Sequence, residues 1–256
     1  MVRKALLALA AALASLPGFP RAQGVAPDPT AWPLSAVGKL NVVTGPGSRQ
    51  HCTATLIGPR HALTAAHCLW DKARARWVDP AGVHFVAGYT LGRYTGHSVA
   101  KGYTKPDGYR FGTGRENLAR DWAVIELSEP IPLKPIGVSR AIGPVTSETS
   151  FAGILHAGYR SSANQVASIE TGCRARYRPQ ALPLLEHECR VVPGESGSAL
   201  ILTQDGVPAV VGVLVAAASG GAPLSFAVPA ISFREAVDAA LASETAVPVS
   251  APGRGR

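Results

Sequence analysis

Leu63-Thr64-Ala65-Ala66-His67-Cys68 decides how this chain is read. A histidine among small apolar residues is, on its own, most often a satisfied structural group. Here it is followed at once by Cys68, and Cys52 lies 16 residues upstream. Two further segments complete a pattern: Asp121-Trp122-Ala123-Val124-Ile125-Glu126-Leu127 and Gly194-Glu195-Ser196-Gly197-Ser198-Ala199. A serine hydroxyl is a poor nucleophile at neutral pH and needs a neighbouring base to take its proton. Imidazole titrates near neutrality and suits that task. A carboxylate then holds the imidazole in one tautomer and stabilises its cation. His67, Asp121 and Ser196 are the residues cast in these roles, with Asp107 as the rival carboxylate.

Around these segments the chain reads as many short strands. The runs are Lys39–Val43, Cys52–Ile57, Ala62–Ala65, Val83–Ala87 and Trp122–Leu127 in one group. Pro130, Pro132 and Pro135 mark a crossover to a second group: Ser150–His156, Gln165–Glu170, Ser198–Leu202, Ala209–Ala216 and Leu224–Val228. The 27 Gly and 21 Pro are spread along the chain, which suits frequent turns better than long helices. One helix is marked by Ser232-Phe233-Arg234-Glu235, a capping box followed by the apolar face Ala236, Val237, Ala240 and Leu241. The expectation is an all-β fold in two units with a C-terminal helix.

The three segments together resemble the chymotrypsin/trypsin-like serine peptidase family over roughly residues 37–243. His187-Glu188-Cys189, Gly38-Lys39-Leu40 and Ala157-Gly158-Tyr159 look most like bacterial trypsin-like and glutamyl-endopeptidase-like members. The resemblance implies two six-stranded antiparallel β-barrels, about 37–135 and about 136–231, with the site in the cleft between them and a helix over 232–243. It implies peptide-bond hydrolysis through an acyl-enzyme, with no cofactor. It also implies an oxyanion hole from the N–H groups of Gly194 and Ser196, and disulfides Cys52–Cys68 and Cys173–Cys189. Spacing alone leaves three pairings open for four cysteines.

Chain order supports this reading over other serine hydrolases. An α/β-hydrolase runs Ser, then acid, then His, but all seven histidines precede Ser196. Subtilisin order needs an Asp before the His, and Asp28 is the one Asp ahead of His67. Two departures stand out. Glu195 occupies the place where animal digestive members carry an Asp that binds a new N-terminus. Arg190, six residues before Ser196, stands where trypsins carry a selective Asp. Arg190, Ala216 and Ala217 are the candidate specificity-pocket residues, and no preferred substrate residue follows from them.

Length and composition set the frame. The chain has 256 residues, 46% hydrophobic and 16% charged, enough for a sizeable core. Arg3 and Lys4 precede the apolar run Ala5–Leu16 and the breakers Pro17, Gly18 and Pro20. That run is too short to span a bilayer, which takes roughly 20 residues, and reads as a secretory signal over 1–22. Residues 23–36 read as a leader or short propeptide, and 244–256 as a disordered tail. Export and an even cysteine count favour disulfides, each closing a loop worth about 3 kcal/mol. Absence of close Cys-x-x-Cys spacing argues against a metal. The net charge of +8 is scattered without aromatic interleaving, which argues against nucleic-acid binding. The expectation is a secreted or periplasmic monomer without a membrane anchor, whose partners are protein or peptide substrates. The alternative is a catalytically weak or inactive binding or antimicrobial protein on the same fold; such proteins usually lose a triad residue, and all three are present here. A third reading is an esterase on this fold.

Overall fold

The computed structural model describes residues 28–112, 114–142, 148–217 and 224–245. The expected signal, the first part of the leader and the tail from residue 246 onward lie outside them. The first barrel is built from β1 (Val37–Gly45), β2 (Ser48–Gly58), β3 (His61–Thr64), β4 (Val83–Ala87), β5 (Gly96–Thr104) and β6 (Ala123–Leu127). It closes in the order β1-β2-β3-β6-β5-β4. Alternation drives the closure. Val83, Phe85 and Ala87 point inward from β4, and Leu40 and Val42 point inward from β1.

The second unit contains β7 (Gly137–Val138), β8 (Thr149–Arg160), β9 (Ala163–Arg178), β10 (Leu182–His187), β11 (Ala199–Gln204), β12 (Val207–Ala217) and β13 (Ser225–Pro229). Its sheet runs β11-β8-β9-β10-β13-β12-β7, and a further pairing of β11 with β12 turns it back on itself. Ile154, Leu185, Leu200, Val211 and Ala227 form its core. The all-β expectation, two barrels and a C-terminal helix, therefore describes the molecule.

Several boundaries differ from the sequence reading. β5 and β10 carry no legible signal. Only Ser98 and Ala100 of β5 are buried, and Pro183 in β10 reads as a breaker. β8 and β9 extend well beyond the expected runs as a long hairpin, much of it exposed. The helix is Arg234–Thr245, because Ala230–Ser232 forms a 3-10 turn that ends on buried Phe233. Ser232 therefore belongs to that turn rather than capping the helix. Arg234 donates to the carbonyls of Ser139 and Ile142, and Glu244 contacts His61 at 3.1 Å. The helix thus ties both barrels together. Residues 34–36, expected at the end of the leader, are buried against the domain.

The second barrel encloses two histidines. His156 Nε2 lies 2.7 Å from Ser198 Oγ, and His187 is 1% exposed. His156 Nδ1 and both His187 nitrogens lack a hydrogen-bond partner among the described residues. Burial pushes the His156 pKa down to about 4 and that of His187 down to about 3, the latter aided by the charge of His156. Both folded values lie below the unfolded value near 6.5. The unfolded state therefore binds more protons, and stability falls as pH drops from about 6.5 toward 4. At pH 4.5 each histidine is expected to remove up to about 3 kcal/mol. Urea midpoints measured from pH 7 to 4.5 check this, and His187→Leu should flatten roughly half of the slope. An unchanged slope in that variant would place the acid sensitivity elsewhere.

Candidate active site

Strand register brings His67 and Asp121 together. His61–Thr64 pairs antiparallel with Ala123–Leu127, with Thr64 opposite Ala123. The residues just beyond that end of the pair are His67, on the 3-10 turn Ala66–Leu69, and Asp121. His67 Nδ1 lies 2.7 Å from Asp121 Oδ2, and the His67 backbone N–H donates to Asp121 Oδ1 at 2.8 Å. Two contacts from one carboxylate fix both the ring and its backbone. Asp121 is 2% exposed, whereas Asp107 is exposed, so the rival carboxylate stands apart. The Cys52–Cys68 disulfide pins the turn to the neighbouring strand.

The loop carrying Ser196 is stitched to the same place. Thr53 N–H donates to the Ser196 carbonyl at 2.9 Å, and Thr53 Oγ1 donates to the Gly194 carbonyl. Thr53 Oγ1 also accepts from Tyr159 N–H at 2.9 Å, and Thr64 Oγ1 donates to the Thr53 carbonyl. One threonine therefore joins the two barrels beneath the serine. Gly197 has φ +81°, and a Cβ there would lie 2.1 Å from Thr64 Oγ1, so a side chain is barred on both counts. Gly194 has φ +99°, and a Cβ there would lie 2.6 Å from both the Ser161 nitrogen and the Tyr159 carbonyl oxygen. Gly197 lets the serine loop press against the segment leading to His67, and Gly194 lets it press against the end of β8.

Within the loop, the N–H groups of Glu195, Gly197 and Ser198 donate to the carbonyls of Val192, Leu214 and Glu195. The N–H groups of Gly194 and Ser196 have no such partner among the described residues. Glu195 is fully buried. Its carboxylate contacts Arg160 Nε at 3.3 Å and accepts from the Val192 N–H at 2.9 Å. The carboxylate before the serine is thus paired internally, by an arginine that sequence reasoning passed over although it follows the quoted Ala157-Gly158-Tyr159.

Tyr109 was also missed. It is buried, and its phenol faces the Asp121 carboxylate. Burial first, then that negative charge and a hydrogen bond to it, hold its pKa above the ordinary phenol range. No spacing rule connects it to the motif.

Ser196 borders a cavity of about 290 Å³ lined by Val191, Val192, Pro193 and Leu214 through Ala217. Ala216 and Ala217, two of the expected pocket residues, are part of this lining. Arg190 is exposed and outside this lining, its backbone N–H held by Glu170 at 3.2 Å. The Cys173–Cys189 disulfide forms as expected. Cys52, His67 and Cys68 bring donor atoms within 4.8 Å of one another, but both sulfurs are consumed by their disulfide. They offer no thiolate to a metal.

Two barrels, a joined histidine and carboxylate, and a pinned serine loop define the scaffold of a serine peptidase. Residues 52–213 match the trypsin-like peptidase domain, and the chain belongs to that family. It is 34% identical over 102 residues to the glutamyl endopeptidase of Bacillus licheniformis, a match that covers 40% of this chain and 29% of that protein. Among solved structures it resembles a Glu endopeptidase in complex with MPD. The TM-score is 0.64 at 21% identity, over 84% of this chain and 94% of that one. It also resembles the thermostable serine protease AL20 from an extremophilic microorganism. There the TM-score is 0.64 at 16% identity, over 82% of this chain and 98% of that one. At these identities the structural likeness is one of fold.

Proposed function

We propose that the protein is an exported serine endopeptidase in which Ser196 is the nucleophile, His67 the general base and acid, and Asp121 its orienting carboxylate. The observation that carries this reading is the 2.7 Å contact between His67 Nδ1 and the buried Asp121, beside a loop that Thr53 holds from both barrels. Asp121 keeps the Nδ1 proton on His67, leaving Nε2 free to accept the Ser196 proton as Oγ attacks the scissile carbonyl. The resulting oxyanion is held by the N–H groups of Gly194 and Ser196, the two unengaged donors of the loop. His67 then protonates the leaving amine, and water repeats the sequence on the acyl-serine. Two disulfides fit an oxidising compartment. Among the described residues no helix is long and apolar enough to cross a membrane.

A fluorophosphonate probe combined with casein hydrolysis tests the assignment. Stoichiometric labelling that disappears in Ser196→Ala supports it; labelling that persists in that variant overturns it.

Tyr109 is a positioning residue in this scheme, acting through Asp121. Tyr109→Phe keeps the ring beside Trp77, at a centroid distance of 6.0 Å, and removes only the hydroxyl. A hydrogen bond to a charged group contributes about 1.5–3 kcal/mol. The expected result is a fall in kcat of about tenfold with KM unchanged. Steady-state kinetics read the split, and a change confined to KM would show that the ring merely fills space.

A further inference from the structure

We infer that this peptidase cuts after residues with uncharged apolar side chains and rejects acidic and basic ones. The inference rests on the peptidase reading above. Ser196 is part of the wall of the 290 Å³ cavity, so the side chain filling it belongs to the residue whose carbonyl the serine attacks. One wall is Val191, Val192 and Pro193; the other is Leu214, Val215, Ala216 and Ala217. No charged side chain lines it among the described residues.

The charged residues nearest the cavity stand outside its lining: Arg190 is exposed, with its backbone N–H on Glu170. Arg160 pairs with Glu195, and Arg174, Arg176, Glu186 and Glu188 border a separate cavity of about 380 Å³ beside Phe151. No histidine lines the cavity among the described residues. His61 meets Glu244, His84 stacks on His97, and His156 and His187 lie inside the second barrel. His51 is packed against Gly194, and His67 faces Asp121. A carboxylate or ammonium entering this cavity would lose its water and gain no partner. An apolar side chain would exchange water for the aliphatic walls. Among the described residues the lining thus offers no counter-charge for a glutamate side chain, despite the chain's similarity to a glutamyl endopeptidase.

The test uses the mature protein and four peptide amides identical except for Leu, Phe, Glu or Lys at the cut position. Active enzyme is counted in the same samples by fluorophosphonate titration, which does not depend on that choice. The expected result is kcat/KM for Leu and Phe at least about 100-fold above Glu and Lys. Cleavage after Glu or Lys at a rate equal to Leu, with normal titration, overturns the inference and leaves the peptidase reading standing. No titration and no cleavage overturns both. Ala216→Arg puts a cation into the wall and should raise Glu relative to Leu by at least about tenfold. If that variant does not titrate, Val192→Lys adds the charge from the opposite wall. A preference unmoved in a variant that titrates normally overturns the inference.

Discussion

Ser196→Ala is expected to lower kcat by about 10⁵ to 10⁶ while leaving the fold intact. In the proposed mechanism Oγ removal deletes the nucleophile, and it disturbs none of the backbone bonds that hold the loop, since Thr53 engages the Ser196 carbonyl rather than its side chain. His67→Ala should cost nearly as much, and the double variant little more than either single one, because nucleophile and base act as one unit. Asp121→Asn should cost about 10⁴. An amide at that position cannot both accept the His67 backbone N–H and hold the Nδ1 proton in the geometry of the present contacts. Stopped-assay kinetics on long incubations, with thermal unfolding as the control for folding, measure all four. Additive losses in the double variant would mean that Ser196 and His67 do not act as a unit. Residual turnover should persist in Ser196→Ala, since the Gly194 and Ser196 N–H groups remain to bind an oxyanion.

The segments that carry the candidate site stand out in the sequence. The site's chemistry demands particular residue types, and strand alternation brings their segments to one place. Val83–Ala87 alternates cleanly because one face meets the barrel core. The same logic fails where a strand has no buried face. Gly96–Thr104 closes the first barrel with little apolar content of its own, so its pairing partners, not its sequence, make it a strand. Leu182–His187 is paired on both sides despite Pro183. Direction was the other blind spot. Counting six residues back from Ser196 reaches Arg190, but a count says nothing of where a side chain points, and this one is exposed. Tyr109 and Arg160 meet Asp121 and Glu195 only through tertiary folding, so no local motif announces them.

Arg160 carries the second large expectation. Glu195 is buried without exposure, and its charge is matched by Arg160 at 3.3 Å and by one backbone N–H from Val192. Arg160→Met keeps the length of the side chain and removes the cation. Stripping one partner from a buried pair typically costs about 3–5 kcal/mol, because the remaining charge stays desolvated. Arg160 is 35% exposed, so water moderates the loss, and about 2–4 kcal/mol is expected here. The penalty should fall on activity as well. Val192 through Glu195 form the turn that aims the Gly194 N–H, and an unpaired Glu195 would leave it by dragging that turn toward solvent. Labelling by a fluorophosphonate should therefore slow by at least about tenfold, roughly 1.4 kcal/mol. Glu195→Gln in the Arg160→Met background removes the orphaned charge yet still accepts the Val192 N–H. It is expected to restore most of the lost stability and labelling rate. Urea denaturation and labelling kinetics of the two single variants and the double form a closed cycle. If the double variant is as damaged as Arg160→Met, the loop is held by packing rather than by this ion pair. If it recovers, the pair does internally what an N-terminal ammonium does in the digestive relatives, and the serine loop owes its shape to residues of the domain itself.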